Sequence, residues 1–266
     1  VAIGGKSSDK PKKKSAVNAL IDNYHLLSYE ELDSTNSEAK RLAEGGASHG
    51  AFIWAKTQTQ GRGRYSREWV SSEGNLFVSV LLSPEAPLPE IHQLSFVASL
   101  AIVEALTPLI PQGEKLRCKW PNDLLLNGKK LGGILLESFE TLEATGPKRW
   151  VVIGIGVNID HCPEELENPA TYLKEAGVEI ISAKIVLSRF IHHFIECYGV
   201  WQEKGFTTIR KSWLKHCEGL GREVKVSLPQ ETIYGIFHAL DAQGNLTLKL
   251  SNGKTRKIAA GDLYLL

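Results

Sequence analysis

"KWPNDLLLNGKKLGGILLES", residues 119–138, reads as strands joined by a tight turn. The runs 123–127 and 131–138 are apolar and of strand length. Between them stands Asn127-Gly128, the pair favoured where both central turn positions take positive φ, so a hairpin is expected. Pro121 keeps the residue before it extended, which continues the strand pattern back through "LRCKW" at 116–120. Lys119 and Asp123 bracket that proline. Lys130 sits among apolar neighbours, either at the mouth of a pocket or at a strand end facing water; burial statistics favour the second. Gly132-Gly133 bares the backbone, which suits a flat ligand lying against it.

Working outward, further strands are expected at 51–56 ("AFIWAK"), 75–82 ("NLFVSVLL") and 150–159 ("WVVIGIGVNI"). Thr35 to Glu38 spells a capping box ahead of a helix that Gly45-Gly46 ends. A longer helix is predicted from Gln93 to Leu106, stopped by Pro108, with Leu94, Val97, Ala98, Ala101 and Ala105 on one side. Two more are expected near Ala183–Lys204 and Thr207–Cys217. From Gly221 five short alternating strands follow, which predicts a small all-β unit, barrel-like to avoid open edges. The chain therefore divides into a tail (1–22), an α+β body (23–218) and a β appendix (219–266). The first 14 residues show no periodicity and are read as a flexible tail, with "KPKKK" as solvated charge.

With 266 residues, 42% apolar and 23% charged, the composition is globular. A net charge of +1 argues against binding polyanions by bulk electrostatics, so any anion site is local. No apolar run is long enough to span a bilayer and no secretory h-region is visible. Cys118, Cys162, Cys197 and Cys217 lie far apart without zinc spacing, and are read as reduced thiols in a cytoplasmic protein. His192 and His193 point to different helix faces, so no metal-ligand set is expected. Methionine is absent, position 1 included.

The stretch "TQTQGRGRYSREWVSS", 57–72, carries three arginines with Glu68 as the one nearby counter-charge. Gly61 and Gly63 suggest positive φ and close backbone approach to a ligand. Arg62 and Arg64 offer forks for carboxylate or phosphate. Self-repulsion predicts a loop that is mobile when empty; a merely solvated basic loop is the alternative. No P-loop is present, and "GIGVNI" at 154–159 lacks the third glycine of a dinucleotide fingerprint.

Taken together, "STN" (34–36), "GRGRYSREW" (61–69), "KWPNDLLLNGKKLGGILLE" (119–137) and "GIGVNI" resemble, in order and spacing, the biotin–protein ligases. The resemblance runs from about Tyr24 to Leu266. It implies an α+β mixed-sheet catalytic domain of the class II aminoacyl-tRNA synthetase/biotin ligase type with a small C-terminal SH3-like β-barrel. It implies ATP, biotin and Mg²⁺, a biotinoyl-5′-AMP intermediate, and transfer to a lysine of a biotin carboxyl carrier domain of a biotin-dependent carboxylase. Lys130, Arg64, Lys119 and Asp123 would be catalytic. Ser34, Thr35, Asn36, Gln58, Arg62, Gly63, Gly132 and Gly133, with Arg64 and Lys130, would hold biotin, and Trp54 or Trp120 would wall its apolar side. Arg62, Arg64, Arg67, Trp69, Lys119 and Asn158 would hold ATP or the adenylate. The chain departs from the family at Ser66, where a glycine is common, and at Ala170, where some members place a tryptophan over adenine. Fewer than 30 residues precede the body, too few for a helix-turn-helix, so a ligase that is not a repressor is expected, without DNA or membrane partners; a homodimer stays open. Rival readings are a lipoate/octanoate–protein ligase-like acyltransferase and a non-catalytic nucleic-acid-binding protein.

Overall fold

The computed structural model describes residues 20–21, 24–144, 146–163, 169–179 and 181–266. The "KPKKK" segment and the rest of the predicted tail up to residue 19 lie outside them. Leu20–Ile21, assigned to that tail, instead forms a short strand (β1) on Tyr24–Leu32 (β2). The chain continues through α1 (Thr35–Glu44), β3 (Ala51–Gln58), β4 (Leu76–Leu82), α2 (Leu88–Ile91) and α3 (Leu94–Leu106). Strands β5 (Leu116–Lys119), β6 (Asp123–Leu126), β7 (Lys129–Glu143) and β8 (Gly146–Val157) follow, then α4 (Ala183–Lys204) and α5 (Phe206–Lys215). The C-terminal strands are β9 (Glu223–Ser227), β10 (Thr232–Leu240), β11 (Leu246–Lys249), β12 (Thr255–Ile258) and β13 (Asp262–Leu265).

Eight strands form a mixed sheet ordered β1-β2-β3-β4-β8-β7-β6-β5. Only β2 and β3 run parallel, because α1 crosses between them; hairpins and longer returns make the other pairs antiparallel. Asn127 and Gly128 take φ of 52° and 77°, the conformation expected of that turn. β7 and β8 run on as a hairpin from 129 to 157, well past the expected strand ends. β2 was not expected as a strand: Leu26-Leu27 and Glu30-Glu31 break the two-residue alternation.

The predicted capping box does not form. Ser34 is the N-cap, without a side-chain bond; Thr35 is the first helical residue, and Glu38 bonds the Tyr29 hydroxyl and Arg41 instead. The helix nevertheless ends at Gly45-Gly46, with Gly46 at φ 84°. α3 is apolar nearly all round rather than on one side, since it lies between the sheet and α4 and α5. Against the expectation, segment 88–109, which contains α3, is by length and composition apolar enough to cross a bilayer, but most of it is buried in this core.

The C-terminal strands make a five-stranded antiparallel sheet ordered β12-β11-β10-β9-β13. Its apolar face shares one core with the body: Val224, Phe237, Leu246 and Leu263 join the cluster that holds α3 and α5. The turn at 241–245 seats on the helices. Trp120 Nε1 donates to Gly244 O at 3.1 Å, and Gln93 Nε2 donates to Ala242 O at 3.2 Å. Phe96 lies at the centre of this seam, 5.3 Å from the Phe206 ring and 5.1 Å from Trp213. Phe96→Ala is expected to lower unfolding free energy by about 3–5 kcal/mol in urea; a loss under about 1 kcal/mol would mean the seam is not packed as described.

Candidate active site

The open face of the mixed sheet carries a cavity of about 510 Å³. The start of α1 and the end of β3 close one end, β6, β7 and β8 form the floor, the 59–75 loop covers it, and β13 supplies a wall.

The arginine loop folds as a compact hairpin and not as a splayed one. Gly63 N–H donates to Arg67 O at 2.7 Å, and Trp69 N–H to Gly61 O at 2.9 Å. Its arginines find acids far away in sequence. Arg62 pairs with Glu137 at 2.9 Å, and Asp262 of β13 takes Arg67 at 2.8 Å and Arg64 at 3.5 Å. Arg64 also donates to Asn122 Oδ1 and Gly261 O. The repulsion expected from composition is thus offset by partners that no local reading of the loop could reveal. Positive φ does not fall at Gly61 or Gly63, as expected, but at Tyr65 and Ser66, at 55° and 56°.

On the floor, Asp123 stands between two ammonium groups, 2.7 Å from Lys130 Nζ and 3.1 Å from Lys119 Nζ. Burial pushes the Asp123 carboxyl up, but the charges of Lys130 and Lys119 outweigh it and hold the group below the usual carboxylate range. Lys130 lines the cavity, so the water-facing reading of this residue is overturned; its ammonium lies 5.7 Å from the centroid of the Trp69 ring.

The Trp69 indole packs closely against the sheet backbone at Gly133 and Gly156. A Cβ at Gly156 would fall 2.6 Å from its indole, and one at Gly154 would fall 2.4 Å from Asn36 Oδ1. The spaced glycines of "GIG" are therefore cut-outs for Trp69 and Asn36. The Trp69 Nε1–H is buried and has no hydrogen-bond partner among the described residues.

Ser34, Thr35, Asn36, Gln58, Arg62, Gly63, Arg64, Arg67, Trp69, Lys119, Asp123, Lys130, Gly133 and Asn158 all border the one cavity. Two expected residues do not. Gly132 faces the neighbouring strand, where a Cβ would meet Gly156 O at 2.5 Å, so its bareness serves strand packing. Trp54 is a core residue of β3, whereas Trp120 reaches the cavity wall. Asn158 donates to Thr171 O at 3.1 Å, which ties β8 to the segment carrying Ala170, also on the wall. Sequence reading missed Glu137, Asn122, Asp262 and Tyr264; the last lies 5.9 Å from Lys119 Nζ. Asn122 and Glu137 lie within the 119–137 motif, but their partners lie across the fold, and Asp262 and Tyr264 carry no local signal at all.

Ser66 holds a left-handed backbone that favours glycine. Ser66→Gly is expected to raise unfolding free energy by about 1 kcal/mol in a denaturant titration; a lowered value would contradict this loop conformation.

The Biotin/lipoate A/B protein ligase family matches residues 29–158, and the Biotin protein ligase C terminal domain matches residues 219–266. The bifunctional ligase/repressor BirA of Bacillus subtilis is 36% identical over 247 residues, covering 91% of this chain and 74% of that protein. The biotin–[acetyl-CoA-carboxylase] ligase of Paracoccus denitrificans is 37% identical, covering 87% of this chain and 97% of that protein. Among solved structures, biotin protein ligase from Aquifex aeolicus in complex with biotin and ATP superposes with a TM-score of 0.76 at 31% identity, covering 91% of this chain and 99% of that one. On the cavity, the C-terminal sheet and these similarities together, the chain belongs to the biotin protein ligase family.

Proposed function

We propose that the cavity activates biotin with ATP as biotinoyl-5′-AMP and then passes the acyl group to a lysine of a carrier domain, that of a carboxylase such as the relatives' names indicate. The observation that carries this reading is the set of cations gathered on one cavity: Arg62, Arg64, Lys119 and Lys130, each held by a carboxylate.

A carboxylate attacking a phosphate brings two anions together, and fixed cations must offset their repulsion. Lys130 and Arg62 are suited to the biotin carboxylate, Lys130 and Lys119 to the α-phosphate, and Arg64 to the mixed anhydride. Arg67, at the loop's rim, suits the leaving pyrophosphate. Ser34, Thr35, Asn36 and Gln58 supply the donors and acceptors an uncharged ureido ring needs. Ile134, Ile155 and Phe77 offer apolar wall beside it. Trp69 and Asn158 suit adenine and ribose.

Among the described residues no group of three His, Cys, Asp or Glu side chains is arranged to hold a metal ion. The carboxylates Asp123 and Asp262 are each occupied by two cations. Mg²⁺ would arrive on the phosphates of ATP and offset their negative charge there.

In the second half-reaction the attacking lysine has an ordinary pKa of about 10.4. Asp123 is ionised at neutral pH and a weak base, so its part is to orient ammonium groups. The 59–75 loop covers the cavity and shields the anhydride from water.

Pyrophosphate exchange into ATP is expected to require biotin; exchange stimulated by lipoate alone would contradict the proposed substrate. Lys130→Ala is expected to lower exchange about 10²–10³-fold. Arg64→Ala is expected to release or hydrolyse the adenylate, measured as free biotinoyl-5′-AMP after gel filtration; normal retention would remove Arg64 from this role. Because the Asp123 carboxyl is lowered in the folded protein, its contribution to stability is present above its unfolded pKa of about 3.9. It is lost as pH falls through the lower folded value, so Asp123→Asn should flatten acid unfolding there; an unchanged acid limb would contradict the ion triad.

A further inference from the structure

Two hydrogen-bond chains meet at the polar end of the cavity, and each begins at a group that can only accept. The first begins at the Glu137 carboxylate. Asn36 Nδ2 lies 2.7 Å from Glu137 Oε2, so the amide must turn its NH₂ there and its Oδ1 away. Ser79 Oγ lies 2.6 Å from that Oδ1, which accepts the single Ser79 proton. Thr35 Oγ1 lies 2.7 Å from Ser79 Oγ, a contact that now needs the Thr35 proton. Ser79 is fully buried and Thr35 and Asn36 nearly so, so water does not scramble the order.

The second chain begins at the carbonyl of Trp69. Ser71 Oγ donates to it at 2.8 Å, and so must accept from Gln58 Nε2 at 2.9 Å. Gln58 Oε1 then faces Thr35, taking its backbone N–H at 2.8 Å. The chains end with Thr35 Oγ1 and Gln58 Oε1 only 3.1 Å apart, both lining the cavity, and no proton left to place between them.

We infer that Glu137 is a positioning residue that sets the polarity of this end of the cavity, making Thr35 Oγ1 and Gln58 Oε1 an acceptor pair that selects a ligand N–H. The inference rests on the proposed biotin reading, in which that N–H belongs to the ureido ring. Glu137 itself does not line the cavity and acts through Asn36 and Ser79. It also bonds Arg62 Nη2, whose other terminal nitrogen donates to Ser37 Oγ at 2.9 Å, so one carboxylate orients both the polar relay and a cation.

The experiment compares biotin with the cyclic carbamate analogue in which oxygen replaces one ureido N–H, using pyrophosphate exchange by the full chain. Wild type is expected to favour biotin by at least 10-fold in kcat/KM. Glu137→Gln can offer its own NH₂ to Asn36, flip that amide and free the order of the relay. It is expected to lose most of that preference and raise KM for biotin about 10-fold or more, with KM for ATP little changed. Ser79→Ala, which cuts the chain without touching Arg62, is expected to lose the preference as well, and Glu137→Asp to restore part of it. Melting temperatures monitor folding in each case. An unchanged preference in Ser79→Ala, or in a folded Glu137→Gln, would overturn the relay while leaving the ligase reading intact. Exchange by wild type with no biotin dependence would overturn the ligase reading itself.

Discussion

Five cations that border this cavity are kept in place by three acids. Asp123 divides Lys119 from Lys130, Glu137 holds Arg62, and Asp262 gathers Arg64 and Arg67. Without those acids the cations would repel one another and swing to solvent. With them the positive charge is held in place, and in the proposed reaction it would pass to an incoming phosphate or carboxylate by exchange of partner. Such local pairing also explains how a chain of net charge +1 can carry a strongly cationic site.

The acids come from three places that only the whole fold unites. Asp123 and Glu137 lie on neighbouring strands of the mixed sheet, and Asp262 belongs to the C-terminal sheet. That sheet is joined to the body by a shared core around Phe96 and Trp213. It therefore contributes to the site directly, through Asp262 on the loop and Tyr264 beside Lys119. On the sheet floor, Gly154 and Gly156 give Asn36 and Trp69 the room to lie close to the backbone.

Much of this was legible in the sequence. The Asn127-Gly128 hairpin, the long α4 and five C-terminal strands follow from turn chemistry and periodicity, and each stands where it was expected. The residue types of the site were legible through the motifs that resemble the family, since composition alone left the arginine loop open to a solvated reading and favoured a water-facing Lys130. Its pairings were not. Glu137 looks like any strand glutamate, and Asp262 like a turn residue, until the chain closes on itself. Thr35 reads as a helix cap, yet its hydroxyl is taken by Ser79, a contact 44 residues away. β2 escaped notice because its apolar residues do not alternate, and Gly132 misled because strand packing and ligand contact leave the same bare backbone.

The central claim is that these cations exchange carboxylate partners for the ligand. A crystal structure with a non-hydrolysable biotinoyl-adenylate analogue tests it most directly. We expect the phosphoryl group within about 3 Å of Lys130 Nζ and an Arg64 nitrogen, with the Asp262 pairing loosened. A phosphoryl group bound elsewhere, with Lys130 still on Asp123 and Arg64 still on Asp262, would contradict it.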